Sequence, residues 1–273
     1  MSDRLDGGHG GTVAEQSGSM LAGRRAVVFG GAEGIGRAIV EAFAAQGASV
    51  LSVDVQESPG GSSQVRSLIW DVRDERLPAE ILDFDPDIAV NNVGHFIRPP
   101  TSFVDADPSE WARLHDINFG YALRTTHALL PAMIRARRGA VINLTSVEAH
   151  RAIPGHTVYS AYKAALMQFT RSVAAEVGHY GVRVNAIAPD LIETPQVPYA
   201  DLVPREHEHM WERWSPLGGP GQPVDVAGAA VFLASDLSRF TTGTTVHVGG
   251  GTEVAGGWFR RGDGGWTNRP LNP

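Results

Sequence analysis

The sequence predicts a doubly wound α/β fold, with a parallel seven-stranded sheet covered by helices on both faces. Three observations point to it. Seven short apolar runs recur along the chain, and helix-like stretches separate most of them. Several of the runs are apolar at successive residues instead of at alternate ones, as in strands buried on both faces.

Ala26-Val27-Val28-Phe29 is the first expected strand and Ser49-Val50-Leu51-Ser52-Val53 the second. Ser67-Leu68-Ile69-Trp70 and Ile88-Ala89-Val90 follow, then Ala140-Val141-Ile142-Asn143-Leu144. Val182-Arg183-Val184-Asn185-Ala186-Ile187 and Thr245-Val246-His247-Val248 complete the seven. Helices are expected at about 35–46, 109–136, 158–178 and 224–234. The connection from Asp54 to Ser67 contains Ser58-Pro59-Gly60-Gly61-Ser62-Ser63, which is turn chemistry. It is barely long enough for a parallel crossover, so no proper helix is expected there. Residues 195–223 are bounded by prolines and read as a small helical lid on a single domain spanning 20–251. Residues 1–19 are rich in Gly and Ser and read as a disordered tail. Residues 252–273 are rich in Gly, Trp and Arg and read as an irregular extension, lying over the functional site or a subunit interface.

Of the 273 residues, 42% are hydrophobic and 19% charged, which suits one globular domain with a large core. The net charge of −7 and the absence of any Lys/Arg block argue against nucleic acid as a partner. With no cysteine, disulfides, iron–sulfur clusters and thiolate metal sites are excluded. No apolar run is long enough to span a membrane and no signal-type apolar core precedes the domain, so a cytoplasmic protein is expected. His207 and His209 are two apart and do not share a helix face, and no metal site is expected.

The chemistry-bearing residues cluster at the ends of the expected strands. Gly30-Gly31-Ala32-Glu33-Gly34-Ile35-Gly36 follows the first strand and opens the first helix. Glycines there let backbone N–H groups approach a pyrophosphate, and the helix N-terminus favours the anion. Asp54 ends the second strand, where a carboxylate accepts both ribose hydroxyls of adenosine and repels a 2′-phosphate; a turn or cap aspartate is the plainer alternative. Asp71 and Val72 close the third strand, at an adenine edge, and Asn91-Asn92-Val93-Gly94 closes the fourth. Tyr159 and Lys163 are four apart in a helical stretch and so share one face. An ammonium beside a phenol stabilises phenolate and is expected to draw the tyrosine pKa down from about 10, making Tyr159 an acid or base.

These residues together resemble the short-chain dehydrogenase/reductase family, over about residues 21–251. The resemblance rests on the glycine run Gly30 to Gly36, on Asn91-Asn92-Val93-Gly94 and on Tyr159-x-x-x-Lys163. It rests also on Ser146, thirteen residues before the tyrosine, on Asn118 in the long helix and on Arg183-Val184-Asn185-Ala186-Ile187-Ala188-Pro189. It implies a Rossmann-type catalytic domain and hydride transfer between a nicotinamide and a carbonyl carbon. Tyr159 would be the general acid/base, and Lys163 would tune it and bind the nicotinamide ribose. Ser146 would hydrogen-bond the substrate oxygen, Asn118 would hold a relay water, and Pro189 and Thr194 would flank the nicotinamide. Glu33, Gly34, Ile35, Asn92 and Gly94 would complete the cofactor wall. Asp54 then implies NAD(H) in preference to NADP(H).

The chain departs from the family pattern at Phe29, which replaces a bracing threonine, at Asp190, which replaces glycine after Pro189, and at Gly249, which replaces an anchoring aspartate. Asp190 is expected to take the positive φ of the missing glycine. The substrate pocket is expected to be walled by His95, Phe96, Val147, Glu148, His150 and Asp190, with Met210, Trp211 and Trp214 from the lid. Those large lid residues suggest a bulky or cyclic hydrophobic substrate; alternatively they pack the lid onto its own domain. The favoured expectation is an NAD(H)-dependent oxidoreductase of secondary alcohols and ketones, acting on CH–OH donors. A 3-oxoacyl carrier-protein or coenzyme A thioester reductase is the runner-up, with Arg135, Arg137 and Arg138 as a docking patch or as partners of a helix dipole. A non-catalytic nucleotide-binding homologue is the third. The two long helices are expected to form an intersubunit bundle in a homotetramer.

Overall fold

The computed structural model describes residues 19–58, 62–255, 259–263 and 265–267. Residues 1–18 of the tail expected at 1–19, and the residue Trp258 of the C-terminal extension, lie outside the described residues, as do the side chains of Phe259 and Trp266. The sheet contains β1 (Arg25–Phe29), β2 (Ser49–Asp54), β3 (Val65–Ile69), β4 (Ile88–Asn91), β5 (Gly139–Leu144), β6 (Val182–Pro189) and β7 (Thr245–Val248). Their order is β3-β2-β1-β4-β5-β6-β7 and every pair is parallel. The chain winds outward from β1 to β3, then returns to β4 and winds the other way. That reversal opens a crevice at the C-terminal ends of β1 and β4, where such sheets bind ligands.

Alternate residues of one strand face opposite layers, so the core has two halves. Val28, Val50, Ile88, Val90 and Ile142 pack against α1 (Gly34–Ala45) and α8 (Pro223–Ala234). Val27, Phe29, Leu51, Val53 and Val141 pack against α4 (Tyr121–Ala136) and α5 (Thr157–Val177). Each large side chain so buried contributes about 1.5–3 kcal/mol before the entropy of ordering it.

The edge strands differ from the interior ones. β3 is mostly exposed, with Ile69 at 65%. Trp70, expected within that strand, lies just beyond it and turns inward, its ring 6.1 Å from Phe29. The connection between β2 and β3 shows no helix among its described residues. Ser58 holds it instead, by a hydroxyl contact to Ser52 at 2.6 Å and by donating its backbone N–H to Ser67 Oγ at 3.0 Å.

The single helix expected over 109–136 is in fact α3 (Trp111–His115), a π-turn (Asp116–Gly120) and α4. A short α2 (Ala79–Asp83), anchored by buried Ile81, escaped sequence reading because one turn has too few residues to show a period. Residues 195–223 form α6 (Tyr199–Leu202), a 3-10 stretch (Arg205–Met210) and α7 (Trp211–Trp214). Beyond β7, β8 (Phe259–Arg260) and β9 (Trp266–Thr267) form a hairpin, with the β8 backbone near α7. Among the described residues, no helix is long and apolar enough to cross a membrane.

One buried polar network ties the sheet to α4 and α5. Asn91 donates to Asn143 Oδ1 at 2.8 Å, Asn143 donates to Thr170 Oγ1 at 2.9 Å, and Thr125 donates to Asn91 Oδ1 at 2.8 Å. Asn143→Ala removes two buried hydrogen bonds at once, leaving Asn91 Nδ2 its longer contact to Thr126 at 3.3 Å and Thr170 its own bond to the Leu166 carbonyl, and each lost bond is worth about 0.5–1.5 kcal/mol. The expected outcome is a loss of about 1–3 kcal/mol, seen as a lower urea midpoint at an unchanged slope. An unchanged midpoint would show that the network contributes nothing to stability.

Candidate active site

A cavity of about 660 Å³ opens at the C-terminal ends of the strands. One end is built by the glycine turn after β1. Gly30 and Gly34 have φ of +83° and +54°. A Cβ on Gly36 would sit 1.8 Å from the Gly30 carbonyl oxygen, so only glycine lets helix and turn approach this closely. No side chain caps the N-terminus of α1, whose first N–H groups are therefore available to an anion. Phe29 brings no hydroxyl to brace this turn, and Asn92 does that work by donating to the Gly30 carbonyl at 2.8 Å. Asp54 accepts from the Ala32 backbone N–H at 3.1 Å while remaining on the cavity wall. Asp71 shares that wall and is bound by the Arg73 guanidinium, which holds its carboxyl below the usual range. Glu33, Ile35, Val72, Gly94, Pro189 and Thr194 line the same cavity. An uncapped helix end, a glycine cradle and a rim carboxylate fit the pyrophosphate and ribose of a dinucleotide.

The other end brings together the four residues to which the family resemblance assigns the chemistry. Tyr159 and Lys163 lie on α5, Ser146 just after β5, and Asn118 in the π-turn. Lys163 is buried; its Nζ donates to the Leu144 carbonyl at 2.9 Å and lies 5.6 Å from the Tyr159 ring centroid. A Cβ on Gly94 would come within 2.7 Å of that Nζ and 3.1 Å of Asn118 Oδ1, so glycine is what lets these two meet the turn. Asn118 is fully buried and clasps the turn by accepting from the His95 N–H at 3.1 Å and donating to its carbonyl at 3.0 Å. The π-turn is what gives the asparagine this reach.

Burial shifts both members of the tyrosine–lysine pair. It pushes the Tyr159 phenol up, with the negative charge of Glu148 adding to that and a hydrogen bond from Ser146 opposing it. Burial lowers Lys163 to about 8. The expectation that the ammonium draws the phenol pKa down is therefore not met: desolvation outweighs a cation placed over the ring and not at the hydroxyl. Ser146 also serves its turn, accepting from the Glu148 N–H at 3.2 Å.

The substrate end differs from expectation. His95, Phe96, Glu148 and Asp190 line it, and Phe96 stacks at 4.5 Å from the Tyr159 ring. Met210, Trp211 and Trp214 do not: Trp211 packs edge-on against Tyr199, and Trp214 is 58% exposed. Val147 turns away into another hollow, and His150 packs against His247, at 4.4 Å between rings. Ile97, Ile153, Gln196 and Tyr199 line the cavity without any motif to announce them. Ile97 holds a φ of +70°, rare for a β-branched residue, and donates to His95 Nδ1 at 2.7 Å. With Nδ1 accepting, the neutral ring carries its proton on Nε2.

Asp190 does not take the positive φ expected of it; Leu191 does, at 48°. Asp190 instead accepts from Arg151 at 2.9 Å, and Arg151 also donates to Glu148 Oε1 at 3.1 Å. The other Glu148 oxygen is buried with no partner among the described residues, and burial raises its carboxyl pKa. Gly249, which lacks the anchoring carboxylate, sits in a turn held another way: Ser215 donates to the Gly250 carbonyl at 2.9 Å. Arg137 and Arg138 are committed at the opposite end of the sheet, to the His179 carbonyl at 3.0 Å and to Asp87 at 3.3 Å.

A sheet of this winding, with a glycine turn at one end of its cleft and Asn118, Ser146, Tyr159 and Lys163 at the other, defines an oxidoreductase of the dinucleotide-binding class. The family model described as enoyl-(acyl carrier protein) reductase matches residues 30–253. The chain is 34% identical over 250 residues to the 3-oxoacyl-[acyl-carrier-protein] reductase FabG of Chlamydia muridarum, covering 85% of this chain and 98% of the relative. It is 36% identical over 250 residues to galactitol 2-dehydrogenase of Rhizobium johnstonii, covering 85% and 95%. The crystal structure of a 3-oxoacyl-[acyl-carrier protein] reductase with bound NAD from Brucella melitensis superposes with a TM-score of 0.76 at 32% identity, covering 88% and 95%. The chain belongs to the short-chain dehydrogenase/reductase family.

Proposed function

We propose that the chain interconverts a secondary alcohol and a ketone with NAD(H), works as a homotetramer, and acts on a small substrate bearing hydroxyl groups. The observation that carries the reaction is the convergence of Tyr159, Lys163 and Ser146 on one cavity whose far wall bears Asp54. A bound nicotinamide supplies or takes the hydride, and the remaining work falls to the chain. Tyr159 as the neutral phenol donates its proton to the carbonyl oxygen in reduction, and as the phenolate takes the proton of the alcohol in oxidation. Ser146 donates to that oxygen. Lys163 orients the ribose and places its positive charge over the phenol ring. Asn118 holds the His95 turn and with it one side of the substrate. Residues 195–223, which carry Thr194's neighbours and Tyr199, serve as the lid.

The proposed polarity of the substrate rests on Glu148 and Asp190, and on the absence of the lid tryptophans from the cavity wall. A buried carboxylate oxygen without a partner is satisfied by a hydroxyl donor. Galactitol, the substrate named for one relative, has that chemistry. Turnover of hexitols with NAD⁺, followed by absorbance at 340 nm, tests the reading against aliphatic secondary alcohols of equal length. Glu148→Gln is expected to raise KM for a hydroxylated substrate about tenfold or more, the worth of one charged hydrogen bond, with kcat little changed. An equal KM in the variant would remove Glu148 from recognition.

A second reading, reduction of a 3-oxoacyl thioester, is favoured by one feature. A hollow of about 290 Å³ adjoins the cavity across Phe96 and Tyr159; Phe103, Trp111 and Leu114 give it an apolar side that suits an acyl chain, while Arg98, Asp105, Asp107 and Glu110 line the rest. NADH oxidation by an acetoacetyl thioester, faster than with any polyol-derived ketone, would make it the leading reading.

A further inference from the structure

We propose that His150, His247 and Glu253 form a binding site for one divalent transition-metal ion of the zinc type, separate from the catalytic cavity. The three residues come from three elements: the turn after Ser146, strand β7 and the turn following it. Their candidate ligand atoms all lie within 4.8 Å of one another. His247 Nδ1 is 2.6 Å from Glu253 Oε2, and His150 Nδ1 is 3.9 Å from Glu253 Oε1. One carboxylate thus faces two imidazoles whose rings are 4.4 Å apart at 65°.

The donor set selects the ion. Two imidazoles and a carboxylate suit zinc, nickel, cobalt or copper, whereas calcium and magnesium require mostly oxygen ligands. Zinc takes such ligands at about 2.0–2.2 Å, so the partly exposed side chains close by about an ångström onto a shared centre, with a fourth position left to water. His247, Glu253 and Thr252 line one hollow, and the buried Thr252 hydroxyl has no partner among the described residues, leaving it free to bond a metal-held water.

An ion here would join the turn that begins at catalytic Ser146 to the glycine turn that Ser215 ties to residues 195–223. Its effect is to brace those segments, so binding stabilises the folded chain by mass action. This site does not depend on which alcohol or thioester the enzyme uses.

The test is a titration of the full chain, stripped with EDTA, with zinc chloride by calorimetry, alongside thermal unfolding. The expected result is one zinc per chain, a midpoint raised by zinc and not by magnesium, and binding weakened at least tenfold in His247→Ala and in Glu253→Gln. His150→Gln, a milder change, should weaken binding in the same direction, while His207→Ala should leave it intact. No saturable binding, or binding unaltered in the His247 and Glu253 variants, would overturn the proposal and leave a simple hydrogen-bonded cluster.

Discussion

Tyr159→Phe is expected to lower kcat by about 10²–10⁴-fold, the usual worth of a positioned general acid or base, while NADH binding stays close to that of the parent. The substitution removes one hydroxyl from a ring that is otherwise packed against Phe96 and flanked by Lys163, so the cavity wall keeps its shape. Burial holds the phenol in its neutral form, and the pKa moves upward, not downward. The sign fixes a pH dependence. In reduction the neutral phenol is the reactive form, so the rate is flat through neutral pH. In oxidation the phenolate is needed, so the rate climbs as pH rises. Lys163, lowered to about 8 by its own burial, loses part of its charge over the same alkaline range and moderates that climb. Stopped-flow reduction and oxidation rates between pH 6 and 10 check both the parent profile and its disappearance in the variant. A variant with unchanged kcat would remove Tyr159 from the proton transfer.

What was legible in the sequence was whatever depends on residues close together in the chain. The interior strands are contiguous apolar runs, and β1, β4, β5 and β6 lie where those runs are. The glycine turn and the Tyr159–Lys163 pair were legible for the same reason: a strand end followed by a helix fixes their neighbours within a few residues. What escaped depends on which way a side chain turns or on residues far apart. Met210, Trp211 and Trp214 lie on short helical turns, where about 100° of rotation per residue decides between facing the cavity and facing away. Arg151 joins Glu148 to Asp190 across 39 residues, and no spacing rule anticipates that. The π-turn at Asn118 is one extra residue in a helix whose hydrophobic period remains nearly intact. Asp190 was assigned the strained backbone of the glycine it replaces. The structure moves the strain to Leu191, because Asp190 Oδ1 accepts from the Leu191 N–H at 2.9 Å while Oδ2 meets Arg151.

Asp54→Asn is expected to weaken NADH binding about 10- to 100-fold, and to tighten NADPH binding, so that the ratio of the two Kd values shifts by more than either alone. The argument begins from the position of the carboxylate. It closes β2, lies on the cavity wall, and accepts from the Ala32 N–H at 3.1 Å. Asparagine keeps an acceptor for that N–H, so the glycine turn retains its shape and the change isolates the charge. Hydrogen bonds from two ribose hydroxyls to a charged acceptor contribute about 1.5–3 kcal/mol each, and losing the charge forfeits about one such bond's worth. The same charge repels a 2′-phosphate at close range. Removing it relieves that repulsion without adding a cation, because Arg73 on the same wall is committed to Asp71. NADPH affinity therefore improves by less than NADH affinity falls. Tryptophan fluorescence titrations of parent and variant with both cofactors read the two constants directly. A parent that binds NADPH more tightly than NADH would overturn the NAD(H) assignment and favour the thioester reading. A ratio unchanged by the substitution would reduce Asp54 to the turn aspartate that its bond to Ala32 also describes.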